Sequence, residues 1–293
     1  MKVAIYGQSY QDDALDYVFE LIDELAKVEA TIVVEQEFHM LLAAHITGTS
    51  YPTFTHKSGL DSSFDLFVSF GGDGTILRAV TFVGSLGIPM VGVNTGRLGF
   101  LSTYKKEEVR KMVREFKAGA YTVVERSLVT IKADPEITTF EGLNFALNEV
   151  TVSRKDTTSM ITVETYLNDE YLTSYWADGL IIATPTGSTG YSLSCGGPVM
   201  TPTAQTLVIT PIAPHNLNAR PLVISDDTII RIRVSGREDM HMVSLDSRLA
   251  SIVNGKEIVI QKANFTIKMI EYASESFLKT IRNKLLWGQD KRN

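Results

Sequence analysis

The residues best suited to chemistry form a short run, Gly71-Gly72-Asp73-Gly74-Thr75, between a predicted strand and a predicted helix. Glycines let a backbone approach a phosphate chain closely, and the N–H groups at a helix start favour anions. A carboxylate inside such a site makes sense if Asp73 accepts a proton from an attacking hydroxyl or helps to bind a metal carried by the phosphates. The same run also fits a tight turn in which Asp73 caps the helix. Arg78, about one helical turn further on, either faces phosphate or is solvated.

The second signal is the run from Asp178 to Pro198. A predicted buried strand, Leu180 to Ala183, opens into a stretch dense in Gly, Ser and Thr. This stretch offers backbone amides and hydroxyls without net charge, which suits neutral sugar and amide groups as well as phosphate. Tyr191 is suited to stack on an adenine ring. A plain surface loop has a similar composition and is the alternative.

A third signal is the pair Asn148-Glu149 in a predicted strand. Successive strand residues face opposite sides, so both side chains reach one ligand only at a strand end or a bulge. Otherwise they are an ordinary polar pair. A P-loop lysine motif is absent, and no Gly-x-Gly-x-x-Gly follows an early strand, which disfavours a dehydrogenase-type dinucleotide fold. The five histidines lack metal-ligand spacing, so no protein metal site is predicted.

Strands and helices alternate over the first 120 residues. The predicted strands are Val3 to Tyr6, Thr31 to Val34, Asp65 to Phe70 and Pro89 to Val93. The predicted helices are about Asp12 to Lys27, Phe38 to Ile46, one starting near Thr75, and Lys105 to Phe116. Asp12 and Asp13 suit a helix N-terminus. This βαβ pattern predicts a Rossmann-like α/β domain with a parallel sheet.

After residue 120 the sequence is rich in Val, Ile, Thr and aromatic residues, which favours strands. Those predicted are Tyr121 to Ala133, Leu147 to Ser153, Ile161 to Leu167, Tyr171 to Trp176, Leu207 to Ile212, Ile229 to Val234, Glu257 to Ile260 and Phe265 to Ile270. The second domain is therefore expected to be mostly β, with two packed sheets. Phe277 to Trp287 has helical spacing and is predicted to return to the first domain. The predicted domains are residues 1–120, 121–275 and the C-terminal helix region 276–293.

Composition limits the possible partners. The 293 residues are 44% hydrophobic and carry a net charge of −6, typical of a globular protein that repels polyanions. Nucleic acid and membranes are therefore not expected as partners. No signal peptide or long apolar span is recognised, and the lone cysteine, Cys195, suits a reducing compartment, so we expect a cytoplasmic protein.

Taken together, these segments resemble the NAD kinase family, in its prokaryotic ATP- or polyphosphate-dependent type. The order of the motifs carries the resemblance: Gly71 to Thr75, Asn94 to Leu101, Asn148-Glu149, Asp178 to Pro198, Pro214-His215 and Ala219 to Ile224. The first motif is shared with lipid kinases and phosphofructokinase-type kinases, whereas the Asp178 to Pro198 run is far more specific. The resemblance implies transfer of a phosphoryl group from ATP, another triphosphate or polyphosphate to the 2′-hydroxyl of the adenosine ribose of NAD, giving NADP.

The resemblance also implies roles for individual residues. Asp73 would be the proton acceptor, Gly72 and Gly74 would lie against phosphate, and Asp178 would bind the nicotinamide part. Asn148 and Glu149 would hold the adenosine and its ribose hydroxyls. The other residues implied to contact the dinucleotide are Ser159, Trp176, Thr186, Thr189, Gly190, Tyr191, Ser192, Leu193, Ser194 and Arg248. Gly190 stands where alanine is more usual, Trp176 where the residue is often charged, and Arg248 where an amide is common.

The remaining implications concern cofactors and assembly. Mg²⁺ or another divalent cation would accompany ATP, NAD would be the second substrate, and the protein would form a homodimer or homotetramer with NAD bound between its two domains. The phosphoryl donor, the preference between NAD and NADH and feedback by NADP(H) stay open. A lipid kinase that shares the Gly-Gly-Asp-Gly-Thr motif and a non-catalytic dinucleotide sensor are the two alternatives.

Overall fold

The computed structural model of the chain describes residues 1–8, 14–45, 50–96, 99–102, 104–155, 159–272 and 276–287. The chain forms two compact units. Unit 1 comprises Met1–Glu125 and Ile267–Asn293, and unit 2 comprises Arg126–Thr266. The sequence placed the first boundary at 120 and the second at 275. The C-terminal helix is grouped with unit 1.

Unit 1 has the alternating order of elements that the sequence predicts. Its strands are β1 (Lys2–Gly7), β2 (Thr31–Glu35), β3 (Thr53–Phe54), β4 (Leu66–Phe70), β5 (Met90–Asn94) and β6 (Tyr104–Lys105). Its helices are α1 (Ala14–Lys27), α2 (Gln36–Ala43), α3 (Asp73–Val83) and α4 (Val109–Lys117). Helix α1 is amphipathic and buries Val18, Leu21, Ile22 and Leu25.

The sheet of unit 1 is parallel, in the order β5-β4-β1-β2-β3, and β6 pairs with β5. In the central pair, Phe70 of β4 lies opposite Val93 of β5. Because parallel strands end at the same edge, the residues after Phe70 and those after Asn94 leave the sheet side by side. The Gly71–Thr75 run and the loop after Asn94 thus come together.

Unit 2 is built almost entirely of strands. These are β7 (Thr122–Lys132), β8 (Phe145–Ala146), β9 (Glu149–Ser153), β10 (Ile161–Leu167), β11 (Glu170–Ala177), β12 (Gly179–Ala183), β13 (Thr206–Ile212), β14 (Leu222–Ser225), β15 (Ile230–Ser235), β16 (Met240–Leu245), β17 (Arg248–Val253) and β18 (Glu257–Glu271). A short helix, α5 (Tyr191–Ser194), follows β12. The C-terminal helix of unit 1, α6 (Phe277–Leu285), follows β18.

Two sheets share the core of unit 2, as the sequence predicts. In one, β11, β10, β15 and β18 are neighbours, and in the other the order is β14-β13-β12-β9-β16-β17. Buried aliphatic side chains from both sheets make one cluster, among them Val163, Ile232 and Ile258 from the first and Val152, Ile182 and Val243 from the second. Burial of this apolar surface is the main force that holds the two sheets together.

Several elements differ from the sequence-based expectation. The two strands predicted at Glu257 to Ile260 and Phe265 to Ile270 are one strand, β18, because neither Gly nor Pro interrupts them. The β16–β17 hairpin was not predicted. Helix α3 begins at Asp73 rather than near Thr75, and a 3₁₀ turn at Lys106–Glu108 precedes α4. Asp12, Asp13, Arg97 and Leu98 lie outside the described residues.

None of the helices in the described ranges combines the length and the apolar composition needed to span a membrane.

Candidate functional site

Asp73 is the first residue of α3, and its carboxylate is held by the loop that follows β5. Oδ2 accepts a hydrogen bond from the Phe100 N–H at 2.7 Å, and Oδ1 accepts from the N–H groups of Leu101 at 3.1 Å and Ser102 at 3.3 Å. The Ser102 hydroxyl is also 3.3 Å from Oδ1. The possibility that Asp73 caps the helix is therefore wrong: Gly72 is the N-cap, and the carboxylate serves a different segment.

The two oxygens of this carboxylate are not equivalent. Among the described residues, Oδ1 has three neighbouring donors and Oδ2 has one. A carboxylate oxygen has two lone pairs, so Oδ2 is the oxygen with room to take a proton. Asp73 is thus fixed in place while one of its oxygens stays suited to proton transfer.

Gly99 leaves the space in which the Asp73 carboxylate makes these hydrogen bonds. A Cβ atom on Gly99 would lie only 1.8 Å from Oδ1 of Asp73, so any side chain there would displace the carboxylate. At Gly72 and Gly74, by contrast, a Cβ would have no neighbour within 4 Å. The N-terminal turn of α3 is therefore open at both glycines, as an approaching phosphate would need. Arg78 is exposed on the same helix.

Asn148 and Glu149 lie where β9 begins, which is the strand-end position that lets both side chains reach one ligand. The turn after β12 packs against them: Thr184 N–H donates to the Asn148 carbonyl at 2.9 Å, and its hydroxyl donates to the Leu147 carbonyl at 2.6 Å. The Tyr191 backbone N–H, at the start of α5, donates to the Glu149 carboxylate. The second and third sequence signals therefore form one cluster in unit 2.

Three polar atoms of this cluster are buried without a hydrogen-bond partner among the described residues. They are Asn148 Oδ1, Glu149 Oε2 and Thr186 Oγ1. A buried polar atom left unpaired costs about 1–3 kcal/mol, so a group of three indicates a place for a ligand with hydrogen-bond donors. Gly190 borders the same space, since a Cβ there would be 3.2 Å from Glu149 Oε2 and 3.4 Å from Asn148 Nδ2.

The surroundings of Glu149 shift the pKa of its carboxyl group. Burial, and then the neighbouring Asp246 carboxylate, raise the pKa of Glu149 to about 8, against the lowering effect of the Tyr191 N–H. Burial raises the pKa of Asp246 as well, against the lowering effects of three backbone N–H bonds and of the nearby Arg248. Because both oxygens of Asp246 accept backbone N–H bonds and Glu149 Oε2 accepts none, we place the shared proton on Glu149. Sequence reasoning missed Asp246, because a single aspartate in a two-residue turn gives no local signal.

The rest of the Asp178 to Pro198 run divides into structural and accessible groups. The Ser192 hydroxyl is buried 2.8 Å from the Thr210 hydroxyl, and the Thr189 hydroxyl donates to the Thr186 carbonyl. Tyr191 is 46% exposed, so its ring is available to a planar ligand. Leu193 is half-buried and Ser194 is exposed.

Two further predicted residues lie at the end of β11. Trp176 is 46% exposed, and its ring centroid is 4.3 Å from that of His215. Asp178 pairs with Arg154 across 3.2 Å between Oδ2 and Nη2. Sequence reasoning missed Arg154 and His215 as neighbours of these positions. Ser159 is partly exposed just before β10.

Arg248, predicted to touch the dinucleotide, has local partners in this structure. Its guanidinium donates to the backbone carbonyls of Leu143 and Phe145 and lies over the Phe145 ring.

Comparison with known proteins places these motifs in a family. The model of the ATP-NAD kinase N-terminal domain matches residues 3–121, and that of the ATP-NAD kinase C-terminal domain matches residues 147–272. The chain is 56% identical to the NAD kinase of Flavobacterium johnsoniae and 40% identical to that of Bacteroides fragilis strain ATCC 25285, over 100% of each chain.

Solved structures agree in fold. An NAD kinase from Archaeoglobus fulgidus in complex with ATP is 26% identical with a TM-score of 0.74, and the match covers 97% of each chain. Yeast NADH kinase complexed with NADH has a TM-score of 0.87 at 24% identity, covering 99% of this chain and 88% of that one. From its motifs, its two matched domains and its full-length relatives, the chain belongs to the NAD kinase family.

Proposed function

We propose that this protein phosphorylates NAD at the 2′-hydroxyl of its adenosine ribose, using ATP and producing NADP and ADP. Membership of the NAD kinase family supports the reaction. The observation in this chain that carries it is the trio of buried, unpartnered oxygens on Asn148, Glu149 and Thr186. Ribose hydroxyls are hydrogen-bond donors of the kind that such acceptors need.

In this proposal, Asn148 and Glu149 hold the adenosine part of NAD, and Tyr191 stacks on the adenine ring. Thr186 and Thr189 to Ser194 line the same side, with Ser192 acting through its backbone because its hydroxyl is engaged with Thr210. Asp178 binds the nicotinamide part, and Trp176 and Ser159 also contact the dinucleotide. Arg248 contributes indirectly, by anchoring the backbone that leads to Asn148.

Asp73 accepts the proton from the 2′-hydroxyl as its oxygen attacks the terminal phosphorus of ATP. The open turn at Gly72 and Gly74 receives the phosphates, with Arg78 close by on α3. In phosphoryl transfer, positioning and electrostatic stabilisation supply most of the rate acceleration. The donors from Phe100, Leu101 and Ser102 provide the positioning, because they keep the carboxylate from rotating away.

A divalent cation, Mg²⁺ or a related ion, enters with the ATP as part of the substrate. Among the described residues, no group of three His, Cys, Asp or Glu side chains is arranged to hold a metal ion. Mg²⁺ is commonly bound through one or two carboxylates together with substrate phosphates. An ion held mainly by the ATP phosphates would neutralise charge on their oxygens during transfer.

The test of the function is a coupled assay. Purified protein incubated with NAD, ATP and Mg²⁺ is expected to form NADP, detected with an NADP-specific dehydrogenase, and ADP in equal amount. Parallel reactions with NADH, other triphosphates and polyphosphate identify the preferred substrates. ADP release without NADP, or no product above a control lacking ATP, would contradict the proposal.

Gly99→Ala is expected to lower kcat about 10- to 100-fold with little change in KM for NAD. The new methyl group would lie 1.8 Å from Asp73 Oδ1, so the carboxylate must shift, and displacements near 1 Å at a reacting group are costly. Steady-state kinetics check this result. Gly96→Ala is the matched control, since a Cβ at Gly96 has no neighbour within 4 Å and turnover should stay within about threefold. Equal losses in both variants would contradict the role of Gly99.

The cellular location is proposed from the cysteine content of the chain. A chain with one cysteine suits the reducing cytoplasm.

A homodimer or homotetramer is supported by the edge strand β14, where Leu222 and Val223 are 37% and 45% exposed. Exposed apolar side chains on a sheet edge are typical of surfaces that associate.

A further inference from the structure

Asp246 lies in the two-residue turn between β16 and β17, where Leu245 pairs with Arg248. Its backbone has φ +52°, a left-handed conformation that aspartate tolerates better than most residues. From this turn the Asp246 side chain reaches residues 147–149, at the start of β9.

That carboxylate accepts three backbone hydrogen bonds from consecutive residues. The donors are the N–H groups of Leu147 to Oδ2 at 2.9 Å, and of Asn148 and Glu149 to Oδ1 at 2.8 and 3.2 Å. In return, the Asp246 N–H donates to the Glu149 carbonyl at 3.0 Å. Hydrogen bonds to a charged acceptor are roughly twice as strong as neutral ones, so this contact fixes the backbone of residues 147–149.

Arg248 completes the arrangement from the other side of the same turn. Its guanidinium donates to the carbonyls of Leu143 and Phe145, a few residues before those that Asp246 binds. The turn therefore presents a cation to carbonyls and an anion to amides along one stretch of chain. Residues 143–149 lead directly into the two side chains proposed to hold adenosine.

We propose that Asp246 is a positioning residue for NAD binding: its carboxylate sets the location of the Asn148 and Glu149 side chains by holding their backbone. This inference rests on the proposed function. The Asp246 carboxylate also disfavours the ionised form of Glu149. The other groups around Glu149 are the Tyr191 N–H and ring and, through Asp246, Arg248. Asp246 therefore acts on the substrate through Glu149 in two ways, by geometry and by charge.

The test compares Asp246→Asn with wild type. Asparagine keeps the shape but replaces one acceptor oxygen by a donor and removes the charge. KM for NAD is expected to rise at least about 10-fold, with kcat changed less than about threefold. The pH at which NAD affinity changes, near the Glu149 pKa of about 8, is expected to move lower. A residue that serves stability alone would lower the melting temperature without moving that inflection.

Asp246→Glu separates the two effects, and it carries the test if the asparagine variant does not fold. It keeps the charge but displaces the carboxylate by one methylene, so KM for NAD should rise while the inflection stays near 8. Asp226→Asn is the matched control: Asp226 is a buried aspartate of the same unit, 2.6 Å from Lys262, and its loss should leave KM and the inflection unchanged.

Direct calorimetric titration with NAD accompanies the kinetics. If wild type binds NAD with a pH inflection but forms no NADP, the proposed function is contradicted. The comparison of NAD binding between wild type and the two Asp246 variants would still test the role of Asp246. Unchanged NAD affinity and an unchanged inflection in both Asp246 variants would overturn the role of Asp246.

Discussion

Asp73→Asn is expected to lower kcat at least about 10²-fold, equivalent to about 2.7 kcal/mol of transition-state stabilisation, while NAD affinity is largely kept. An amide cannot accept the 2′-hydroxyl proton. Asparagine also has only one acceptor oxygen. Its NH₂ group would therefore face either the Phe100 N–H or the donors that now bind Oδ1, and that side would lose its hydrogen bonds. Both effects act on the reacting oxygen rather than on the residues proposed to hold NAD.

Measuring kcat by the coupled assay and NAD affinity by calorimetry separates chemistry from binding. Ser102→Ala is the informative control, because it removes the hydroxyl near Oδ1 but leaves the Oδ2 oxygen and the backbone donors in place. Its kcat should fall less than about 10-fold, because the lost contact is long, at 3.3 Å, and three backbone N–H groups still hold the carboxylate. An Asp73→Asn enzyme with near wild-type turnover would show that another group accepts the proton.

Glu149→Gln is expected to abolish the pH dependence of NAD binding. In the free protein Glu149 is protonated below its pKa of about 8, and ribose hydroxyls donate best to the ionised form. Wild-type affinity for NAD should therefore increase as pH rises through 8, with release of a proton on binding. At pH 9 the glutamine variant should bind NAD roughly 10- to 100-fold more weakly, the effect of losing charge-assisted bonds worth about 1.5–3 kcal/mol.

Calorimetry in buffers of different ionisation enthalpy measures the proton release directly. Wild type should release close to one proton per NAD near pH 7, where Glu149 is mostly protonated, and the glutamine variant none. Affinity that is flat between pH 6 and 9 in wild type would contradict this role for the Glu149 carboxyl.

The same substitution is expected to stabilise the folded protein at high pH. The folded pKa of Glu149, about 8, exceeds the ordinary value of 4.5, so the folded state binds more protons than the unfolded state between those values. The contribution of Glu149 to the free energy of unfolding is therefore greatest below pH 4.5. It is lost as pH rises through 8, by up to about 5 kcal/mol. Glutamine removes that loss.

Urea denaturation at pH 5 and pH 9 checks the sign. The difference in unfolding free energy between Glu149→Gln and wild type should widen with pH in favour of the variant. A difference that is the same at both pH values would mean that Glu149 ionises normally in the fold. The expected gain in stability with loss of binding is the usual relation at a functional site, where a strained charge is kept for its ligand.

Sequence reasoning found the elements of unit 1 because its strands and helices carry strong local signals. Strand β1 is a continuous apolar run, α1 has helical spacing, and the Gly71–Gly74 run breaks the chain between β4 and α3. Parallel strands then place the ends of β4 and β5 at one edge without further information. The position of Asp73 in the turn between β4 and α3 followed from these local patterns alone.

In unit 2 the sequence identified most strands and proposed the ligand-binding segments, but it did not show which residues hold those segments in place. The β16–β17 hairpin was missed, because its turn, Asp246-Ser247, lacks the glycine that normally marks a two-residue turn. Arg248 was predicted as a ligand contact, and the structure adds that its guanidinium holds two backbone carbonyls.

The residue types, their order and the strand and helix periodicities thus determined the family and the fold class, and they singled out Asp73, Asn148 and Glu149 as candidate site residues. Only the tertiary structure decided which residues hold these side chains in position. The grip of Phe100 to Ser102 on Asp73 and of Asp246 on Asn148 and Glu149 joins residues 27 to 98 positions apart. Such contacts depend on how distant strands are brought together, and no local pattern of residues encodes them.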